Sequence, residues 1–224
     1  MNPPVRTIQL PLNARVLEAN DRIAAENRAE FERRKILAIN LIGAPGCGKT
    51  ALLEATLRAL SGGRRPAVLV GDLTTRRDGD RLERWCDQVV QISTGQGCHL
   101  EAHQVRDALG QIDLSRVDYL FIENVGNLIC PVGFDLGQAV TVGLFSLTEG
   151  DDKAAKHPYL VESADLLLLN KVDLLPHLSF DRAGFAADVR LLNPEVPVLD
   201  VSATTGEGLD AWLSWLERRA VGGA

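Results

Sequence analysis

The stretch Gly43-Ala44-Pro45-Gly46-Cys47-Gly48-Lys49-Thr50 decides the fold. It follows a mostly apolar run suited to a β-strand, Ile36 to Ile42, and precedes a run that begins at Ala51 and favours a helix. A glycine-rich loop between a strand and a helix, ending in Lys-Thr, is a Walker A phosphate-binding loop. Its glycines let successive backbone N–H groups turn toward an anion at the helix N-terminus. We expect Gly43 to Ala51 to bind nucleotide phosphates, with Lys49 on the β- and γ-phosphates and the Thr50 hydroxyl on Mg²⁺.

Composition bounds the remaining possibilities. The 224 residues carry a formal net charge of -6 with no cluster of Lys and Arg, which argues against a nucleic-acid partner. No apolar stretch reaches the roughly 18 residues of a membrane span, and the N-terminus lacks the apolar core of a signal peptide. We therefore expect a cytoplasmic protein with no membrane partner. Its four irregularly spaced cysteines favour reduced thiols over disulfides.

The order of the predicted elements indicates an α/β fold. Residues 1–12 contain three prolines and are predicted to form a loose tail, followed by an amphipathic helix from Ala14 to about Arg34. Short apolar runs then alternate with helical patterns to the end of the chain. This alternation predicts a mostly parallel sheet with helices on both faces. We interpret 13–224 as one domain that includes the N-terminal helix.

Two helices in the middle of the chain are predicted from weaker patterns. The charged stretch from Thr74 to Asp87 is predicted to be helical, with Leu82, Trp85 and Cys86 on its apolar side. A second helix is predicted to begin at Cys98 and to reach about Leu109.

Two loops downstream of the Walker A loop predict which purine is bound. Asn170-Lys171-Val172-Asp173 follows an apolar strand and matches the NKxD element of GTPases. A carboxylate at Asp173 can accept hydrogen bonds from N1–H and the 2-amino group of guanine, a donor pair that adenine lacks. Asn170 would tie this loop to the phosphate loop, and the Lys171 stem would cover the base. Ser202-Ala203-Thr204 follows the next strand and resembles the SAK-type loop that meets the guanine oxygen.

Acidic residues at neighbouring strand ends predict the catalytic centre. Glu123 ends an apolar strand, and Gly126 follows it as in a DxxG element, so that its N–H can contact the γ-phosphate. Glu123 would hold Mg²⁺ through water or orient the attacking water, and Asp72 would complete the Mg²⁺ shell. Thr75 and Asp78 follow Asp72 in a switch loop. No arginine finger or water-positioning glutamine is identifiable, so we expect slow GTP hydrolysis.

Two thiols and an imidazole suggest a second metal site. Cys98, His99 and Cys130 form a soft donor set suited to Zn²⁺ or Ni²⁺. His103 lies four residues after His99 and would share its face if the helix began there. Three ligands leave a coordination position open, which a symmetric dimer or a partner could fill. The alternative that these cysteines only pack in the core stays open. Cys86, beside Trp85, is expected to lie in the core, and Cys47 fills a variable position of the phosphate loop.

With these motifs in place, the sequence resembles the hydrogenase nickel-incorporation GTPases known as HypB, in the SIMIBI class of P-loop proteins. Seven stretches spread over most of the chain carry the resemblance. They are NDRIAAENRAEFERRKILAINLIGAPGCGKTALL (20–53), GDLTTRRDGDR (71–81), TGQGCHLEAH (94–103), FIENVGNLICPVGFDLG (121–137), LTEGDDK (147–153), LLLLNKVDLL (166–175) and SATTGEG (202–208).

The resemblance implies a GTP-dependent metallochaperone that helps to insert nickel into the large subunit of a [NiFe]-hydrogenase. It implies that Cys98, His99 and Cys130 are the metal ligands of the G domain, that the protein is a homodimer, and that a second nickel-handling maturation protein is a partner. We further hypothesise that GTP favours the dimer and changes the metal affinity. The apolar segment 174–178 is a candidate dimer surface.

The sequence departs from these relatives in two places. Many of them begin with a nickel-binding cysteine motif or histidine tract, whereas no cysteine or histidine precedes Cys47 here. Arg76-Arg77 replaces a more neutral stretch of the switch loop. The alternatives are a urease-accessory-type GTPase, which resembles CPH rather than CHL at the metal position, another cofactor-delivery GTPase, a regulatory GTPase without metal, and a small-molecule kinase.

Overall fold

The computed structural model describes residues 14–72, 77–95 and 97–222, and within these ranges seven strands form one parallel sheet. The sheet order is β3-β2-β4-β1-β5-β6-β7. The strands are β1 (Leu37–Gly43), β2 (Pro66–Asp72), β3 (Val89–Ser93), β4 (Tyr119–Glu123), β5 (Val140–Ser146), β6 (Leu166–Asn170) and β7 (Val198–Val201). The prediction of an α/β fold with a parallel sheet is confirmed.

Helices flank this sheet on both faces. They are α1 (Ala14–Arg34), α2 (Lys49–Leu60), α3 (Arg77–Leu82), α4 (Ala102–Leu109), α5 (Lys153–Lys156), α6 (Pro158–Ser163), α7 (Arg182–Leu192) and α8 (Leu209–Gly222). None of the described helices combines the length and the apolar character that a bilayer crossing requires. The predicted tail 1–12 and the switch-loop residues Thr75 and Arg76 lie outside the described residues.

The central strands β1 and β4 are buried along their whole length because helices cover both faces. One face of β1 carries Ile39 and Leu41, which belong to a core cluster that includes Trp212 of α8. The other face carries Ala38, in a cluster that includes Phe31 of α1. The N-terminal helix therefore packs on the sheet, as its amphipathic pattern predicts.

All strands run in the same direction, so their carboxyl ends meet at one edge of the sheet. The phosphate loop leaves this edge from β1. Asp72 ends β2, Glu123 ends β4 and Asn170 ends β6. The topology therefore brings together residues that are far apart in the sequence.

The charged helix is shorter than the sequence pattern predicts. It covers Arg77–Leu82, and the chain then turns. Leu82 and Cys86 are buried as expected, but Trp85 is 41% exposed and the guanidinium of Arg58 lies 5.8 Å from its ring centre. The assignment of Trp85 to a buried side was wrong, because the early end of the helix turns it toward solvent and Arg58 covers its face.

The next helix begins four residues later than predicted. Cys98 and His99 lie in a bend, and α4 starts at Ala102. Glu101 is the N-cap residue, and its N–H donates to Gln104 Oε1 at 2.9 Å. The first helical N–H, of Ala102, donates to Asn20 Oδ1 of α1 at 2.8 Å. A tertiary hydrogen bond thus helps to fix a boundary that local sequence places too early. The short helices α5 and α6 were not predicted.

Candidate nucleotide and metal sites

The phosphate loop has the backbone geometry that an anion site requires. Gly46 and Gly48 have φ angles of +77° and +102°, which residues other than glycine rarely adopt. A Cβ added to Gly48 would lie 2.4 Å from Asn170 Nδ2. Glycine at this position is therefore required both by the turn and by the close approach of Asn170.

Lys49 lies across the phosphate loop and is 6% exposed. Its Nζ donates to the carbonyl oxygens of Gly43, at 3.0 Å, and Ala44, at 3.3 Å. The adjacent cavity has a volume of about 330 Å³. Its polar wall is formed by Lys49, Thr50, Asp72, Asp78, Arg81 and Glu123. A cation and several acids around a glycine loop suit a phosphate chain together with Mg²⁺.

Glu123 is the most perturbed acid of this cavity. Thr50 Oγ1 donates to its Oε1 at 2.7 Å, whereas Oε2 is buried without a hydrogen-bond partner. Burial raises the pKa of Glu123 to about 7, and the nearby Lys49 only partly opposes this effect. An orphaned carboxylate oxygen beside a threonine hydroxyl fits a Mg²⁺ ion and its water shell. Thr50 and Glu123 are residues that the sequence analysis assigns to Mg²⁺.

Arg81 is a site residue that the sequence analysis missed. It lines the phosphate cavity, and its guanidinium binds Glu54 at 2.7 Å and approaches Asp78 at 3.9 Å. No arginine finger was identified from the sequence, and Arg81 was not singled out. Arg81 is part of the stretch GDLTTRRDGDR, but only the fold shows that it lines the phosphate cavity.

The base-binding loops meet the phosphate loop through Asn170. Its Nδ2 donates to the Cys47 carbonyl at 2.8 Å, and its Oδ1 accepts from Ala203 N–H at 3.2 Å. Lys171 Nζ donates to the Gly46 carbonyl at 2.7 Å. These contacts join three separate segments into one rim, as the NKxD pattern predicts.

Two carboxylates at this rim hold buried oxygens without hydrogen-bond partners. Asp173 Oδ1 is one, and such an acceptor fits the N1–H and amino donors of guanine. Both Oε atoms of Glu149 are also unpartnered, and burial raises its pKa despite the nearby Lys153 and Lys171. Glu149 was not singled out from the sequence. In the SAK-type loop, Ser202 Oγ accepts from Thr205 N–H at 3.1 Å, and Thr204 is exposed.

The three soft donors, which are far apart in the sequence, lie together in the structure. One ligand atom from each of Cys98, His99 and Cys130 can be chosen so that all lie within 4.8 Å of one another. All three residues are half-buried, so a metal could enter from solvent. His103 does not join this group among the described residues. Its Nδ1 instead lies 3.3 Å from Glu101 Oε2. Because α4 begins after His99, the two imidazoles do not share a helical face.

The electrostatics of these donors suit a cation. The neighbouring Cys130 thiol, followed by burial, raises the pKa of the Cys98 thiol, and a bound divalent cation would reverse this effect. Burial lowers the pKa of His99, which favours the neutral imidazole that binds metals. Its ring packs against Phe134 at an angle of 30° with centroids 3.8 Å apart, and its Nε2 is buried without a hydrogen-bond partner. The donor set therefore fits Ni²⁺ or Zn²⁺.

The remaining thiols and imidazoles are placed elsewhere. Cys47 is fully buried, and burial raises its pKa to about 11, so it is an inert thiol inside the phosphate loop. Cys86 is a buried core residue, and none of the four cysteines forms a disulfide. His177 is exposed, whereas His157 is half-buried and burial lowers its pKa.

One segment connects the nucleotide and metal sites. It leaves β4 at Glu123 and reaches Cys130 seven residues later. Gly126 lies against the phosphate loop so closely that a Cβ there would be 3.0 Å from Pro45 Cγ. Asn124 Oδ1 accepts from Leu100 N–H, next to His99, at 3.1 Å. The segments that carry the soft donors are thus both joined to residues 123–126, which include lining residues of the phosphate cavity.

Comparisons with known proteins agree with this arrangement. A family model described as "CobW/HypB/UreG, nucleotide-binding domain" matches residues 37–200. The hydrogenase maturation factor HypB of Azotobacter vinelandii is 51% identical over 205 residues, which cover 91% of this chain and 67% of that protein.

Two solved structures are similar in both fold and sequence. HypB from Archaeoglobus fulgidus matches with a TM-score of 0.85 and 38% identity over 91% of this chain and 100% of that one. HypB from Helicobacter pylori in complex with nickel matches with a TM-score of 0.86 and 34% identity, over 90% of this chain and 95% of that one.

The raised pKa of Glu123 predicts how stability depends on pH in the nucleotide-free protein. The pKa of this carboxyl is higher in the folded state, about 7, than its ordinary value of 4.5, so folding favours the protonated form. Its contribution to stability is present at low pH and is lost as the pH rises through about 7. Relative to Glu123→Gln, the free energy of unfolding should fall by about 2 kcal/mol between pH 5.5 and pH 8.

Urea unfolding of both proteins across this range measures the difference. The histidines titrate in both proteins, so their contribution cancels in the comparison. Parallel stability curves for the two proteins would show that Glu123 has an ordinary pKa.

Proposed function

Because the chain belongs to the HypB group of the CobW/HypB/UreG family, we propose that it is a GTP-hydrolysing metallochaperone for nickel. It acts as a single G domain, 13–224, and helps to insert nickel into the large subunit of a [NiFe]-hydrogenase during maturation. The cytoplasm, where GTP and reduced thiols are both available, is the compartment that we propose.

The observation that carries the proposal is the connection between the two sites. The segment from Glu123 to Cys130 begins at an acid of the phosphate cavity and ends at a thiol of the soft donor cluster. A regulatory GTPase needs only the first of these, and a metal-storage protein needs only the second. Because one segment carries both the acid and the thiol, its arrangement supports a protein in which the bound nucleotide changes the affinity for a metal.

In this proposal, GTP binds along the carboxyl edge of the sheet. The N–H groups of Gly46 to Ala51 face the phosphates and Lys49 neutralises their charge, as Walker A loops do. Asp173 selects guanine, since its unpartnered buried oxygen accepts the two donors that adenine does not offer. Ala203 lies beside Asn170, to whose Oδ1 its N–H donates. The SAK-type loop that contains Ala203 would meet the guanine oxygen and so complete the recognition of the base.

Hydrolysis would proceed by in-line attack of water on the γ-phosphorus, with cleavage of the bond to the β–γ bridging oxygen and release of GDP. Mg²⁺, held by Thr50 with Glu123 and Asp72 around it, would neutralise charge on the phosphates. Glu123 orients the attacking water or a water of the metal shell, and Gly126 N–H meets the γ-phosphate. Arg81 is bound to Glu54 rather than directed at the phosphates, which supports a slow intrinsic rate.

Nickel is the cargo, and Cys98, His99 and Cys130 hold it or Zn²⁺. Three protein ligands leave one position of a tetrahedral site open. A second copy of the chain, in a homodimer promoted by GTP, or the second maturation protein would fill this position. Segment 174–178 remains the candidate dimer surface, and its Leu178 is 38% exposed.

Two of the alternatives receive less support. The relatives reported above are hydrogenase maturation factors, which favours hydrogenase over urease as the recipient system. A regulatory GTPase without metal would not need three soft donors within 4.8 Å of one another on its surface.

Asp173→Asn tests the guanine assignment. The substitution replaces one carboxylate oxygen with an NH2 group, which cannot accept a hydrogen bond from guanine. GDP affinity should therefore fall at least about 100-fold. Affinity for xanthosine diphosphate should rise, because the new amide can donate to the 2-oxo group of xanthine. Fluorescent-nucleotide titration measures both affinities.

Asp210→Asn, at an exposed position of α8, is the matched control and should leave both affinities unchanged. Equal GDP affinity in the wild type and Asp173→Asn would contradict the assignment.

Cys130→Ala tests metal binding. Loss of a thiolate from a three-ligand set should weaken Ni²⁺ binding at least about 100-fold, since loss of a mere outer-shell contact typically costs 10–100-fold. Competition with a chromophoric chelator, on the GDP-bound protein, measures this affinity. Cys86→Ala removes a buried thiol outside the cluster and should bind Ni²⁺ as the wild type does. Unchanged Ni²⁺ affinity in Cys130→Ala would exclude Cys130 from the metal ligands, and absence of Ni²⁺ binding in the wild type would favour the regulatory GTPase instead.

A further inference from the structure

Helix α1 lies outside the sheet but carries two buried asparagines, Asn20 and Asn27, which are only 5% and 2% exposed. Residues seven apart lie on the same face of a helix, so both amides point in one direction. Burial of an amide is costly unless its polar atoms are hydrogen-bonded. Apolar residues would dock this helix more simply, so two asparagines at these positions require a specific explanation.

Each asparagine binds the backbone of two different segments. Asn20 Oδ1 accepts from Ala102 N–H at 2.8 Å, and its Nδ2 donates to the Asp135 carbonyl at 2.7 Å. Asn27 Nδ2 donates to the carbonyls of both Ala102 and Leu136 at 3.0 Å. Both amides therefore join the backbone at Ala102 to the backbone at 135–136.

These two segments carry the soft donors. Ala102 lies three residues after His99, and Asp135 lies five residues after Cys130. Within the described part of the chain, no backbone hydrogen bond joins 97–102 directly to 130–137. The amides of α1 are therefore a principal polar connection between the segment of Cys98 and His99 and the segment of Cys130.

Two further contacts hold α1 against the Cys130 segment. Arg28 forms an ion pair with Asp135 at 2.6 Å. Gly137 has a φ of +90°, and a Cβ added there would lie 2.6 Å from the Ala24 carbonyl and 2.7 Å from Asn27 Cβ. The backbone of α1 and the backbone at Gly137 thus approach too closely for any side chain at position 137, which constrains the position of the helix relative to this segment.

We propose that Asn20 and Asn27 are positioning residues of the soft-donor site: they set the separation between Cys98–His99 and Cys130 and so the geometry that the metal meets. This inference rests on the proposed metal-binding function. It makes α1 part of the metal site, so that movement of this helix would spread the ligands apart. A metal site requires its ligands to be held by such surrounding contacts.

A purely structural role for these asparagines would affect folding but not coordination, so the experiment measures coordination. Asn20→Ala and Asn27→Ala are prepared in the full chain with GDP bound. Ni²⁺ affinity is measured by chelator competition, and the thiolate-to-nickel charge-transfer absorption reports the geometry of the site. We expect affinity to fall about tenfold or more and the absorption to shift, with GDP affinity unchanged.

A second variant guards against unfolding. Asn20→Asp keeps the volume and the acceptor for Ala102 N–H but loses the donor to Asp135, so it severs only the connection to the Cys130 segment. It should also shift the absorption. Asn193→Ala is the matched control, since Asn193 Nδ2 donates to the Val161 carbonyl at 3.1 Å in another part of the chain. It should alter stability without altering the nickel spectrum.

The outcomes separate the inference from the function on which it rests. Wild-type affinity and absorption in Asn20→Ala, Asn27→Ala and Asn20→Asp would overturn the positioning role, even if these variants were less stable. A shift of equal size in Asn193→Ala would overturn it as well. Failure of the wild type itself to bind Ni²⁺ would contradict the proposed function and remove the inference with it.

Discussion

The contact between Gly126 and Pro45 is the constraint on which the functional edge of this protein depends. An added Cβ at Gly126 would be 3.0 Å from Pro45 Cγ and 3.1 Å from Pro45 Cα, so a larger residue would push the segment after β4 and the phosphate loop apart by a few tenths of an ångström. This approach follows from the sheet order, because β4 and β1 are neighbours and run in parallel. Gly126 therefore lines the same cavity as the phosphate loop.

The side chain of Asn124 carries this constraint toward the soft donors. Its Oδ1 accepts from Leu100 N–H, and its Nδ2 donates to Asn40 Oδ1 at 3.2 Å. These bonds fix the orientation of the Asn40 amide, whose Nδ2 is left buried and unpartnered. The bend that carries Cys98 and His99 is thus followed by two anchored residues, Leu100 bound to Asn124 and Ala102 bound to Asn20 of α1.

The sequence predicts the sheet and the nucleotide edge well because both follow from local signals. Apolar strands ending in Asp72, Glu123 and Asn170 are short-range patterns, and parallel strands place their carboxyl ends together. The start of α4 and the orientation of Arg81 were not predictable in this way. A hydrogen bond from α1 contributes to the first, and the packing of α3 beside the phosphate loop determines the second. Similarly, soft donor types are visible in the sequence, but their proximity depends on loops joined through Asn20 and Asn27.

The central claim is that the nucleotide and metal sites are coupled through residues 123–130. The most direct test is to titrate Ni²⁺ into the protein bound to Mg²⁺-GDP and into the protein bound to Mg²⁺ and a non-hydrolysable GTP analogue. The account predicts affinities that differ by a factor in the range of about 5 to 150, and Ni²⁺ must change the ratio of the two nucleotide affinities by the same factor. Equal Ni²⁺ affinities in the two states would contradict it.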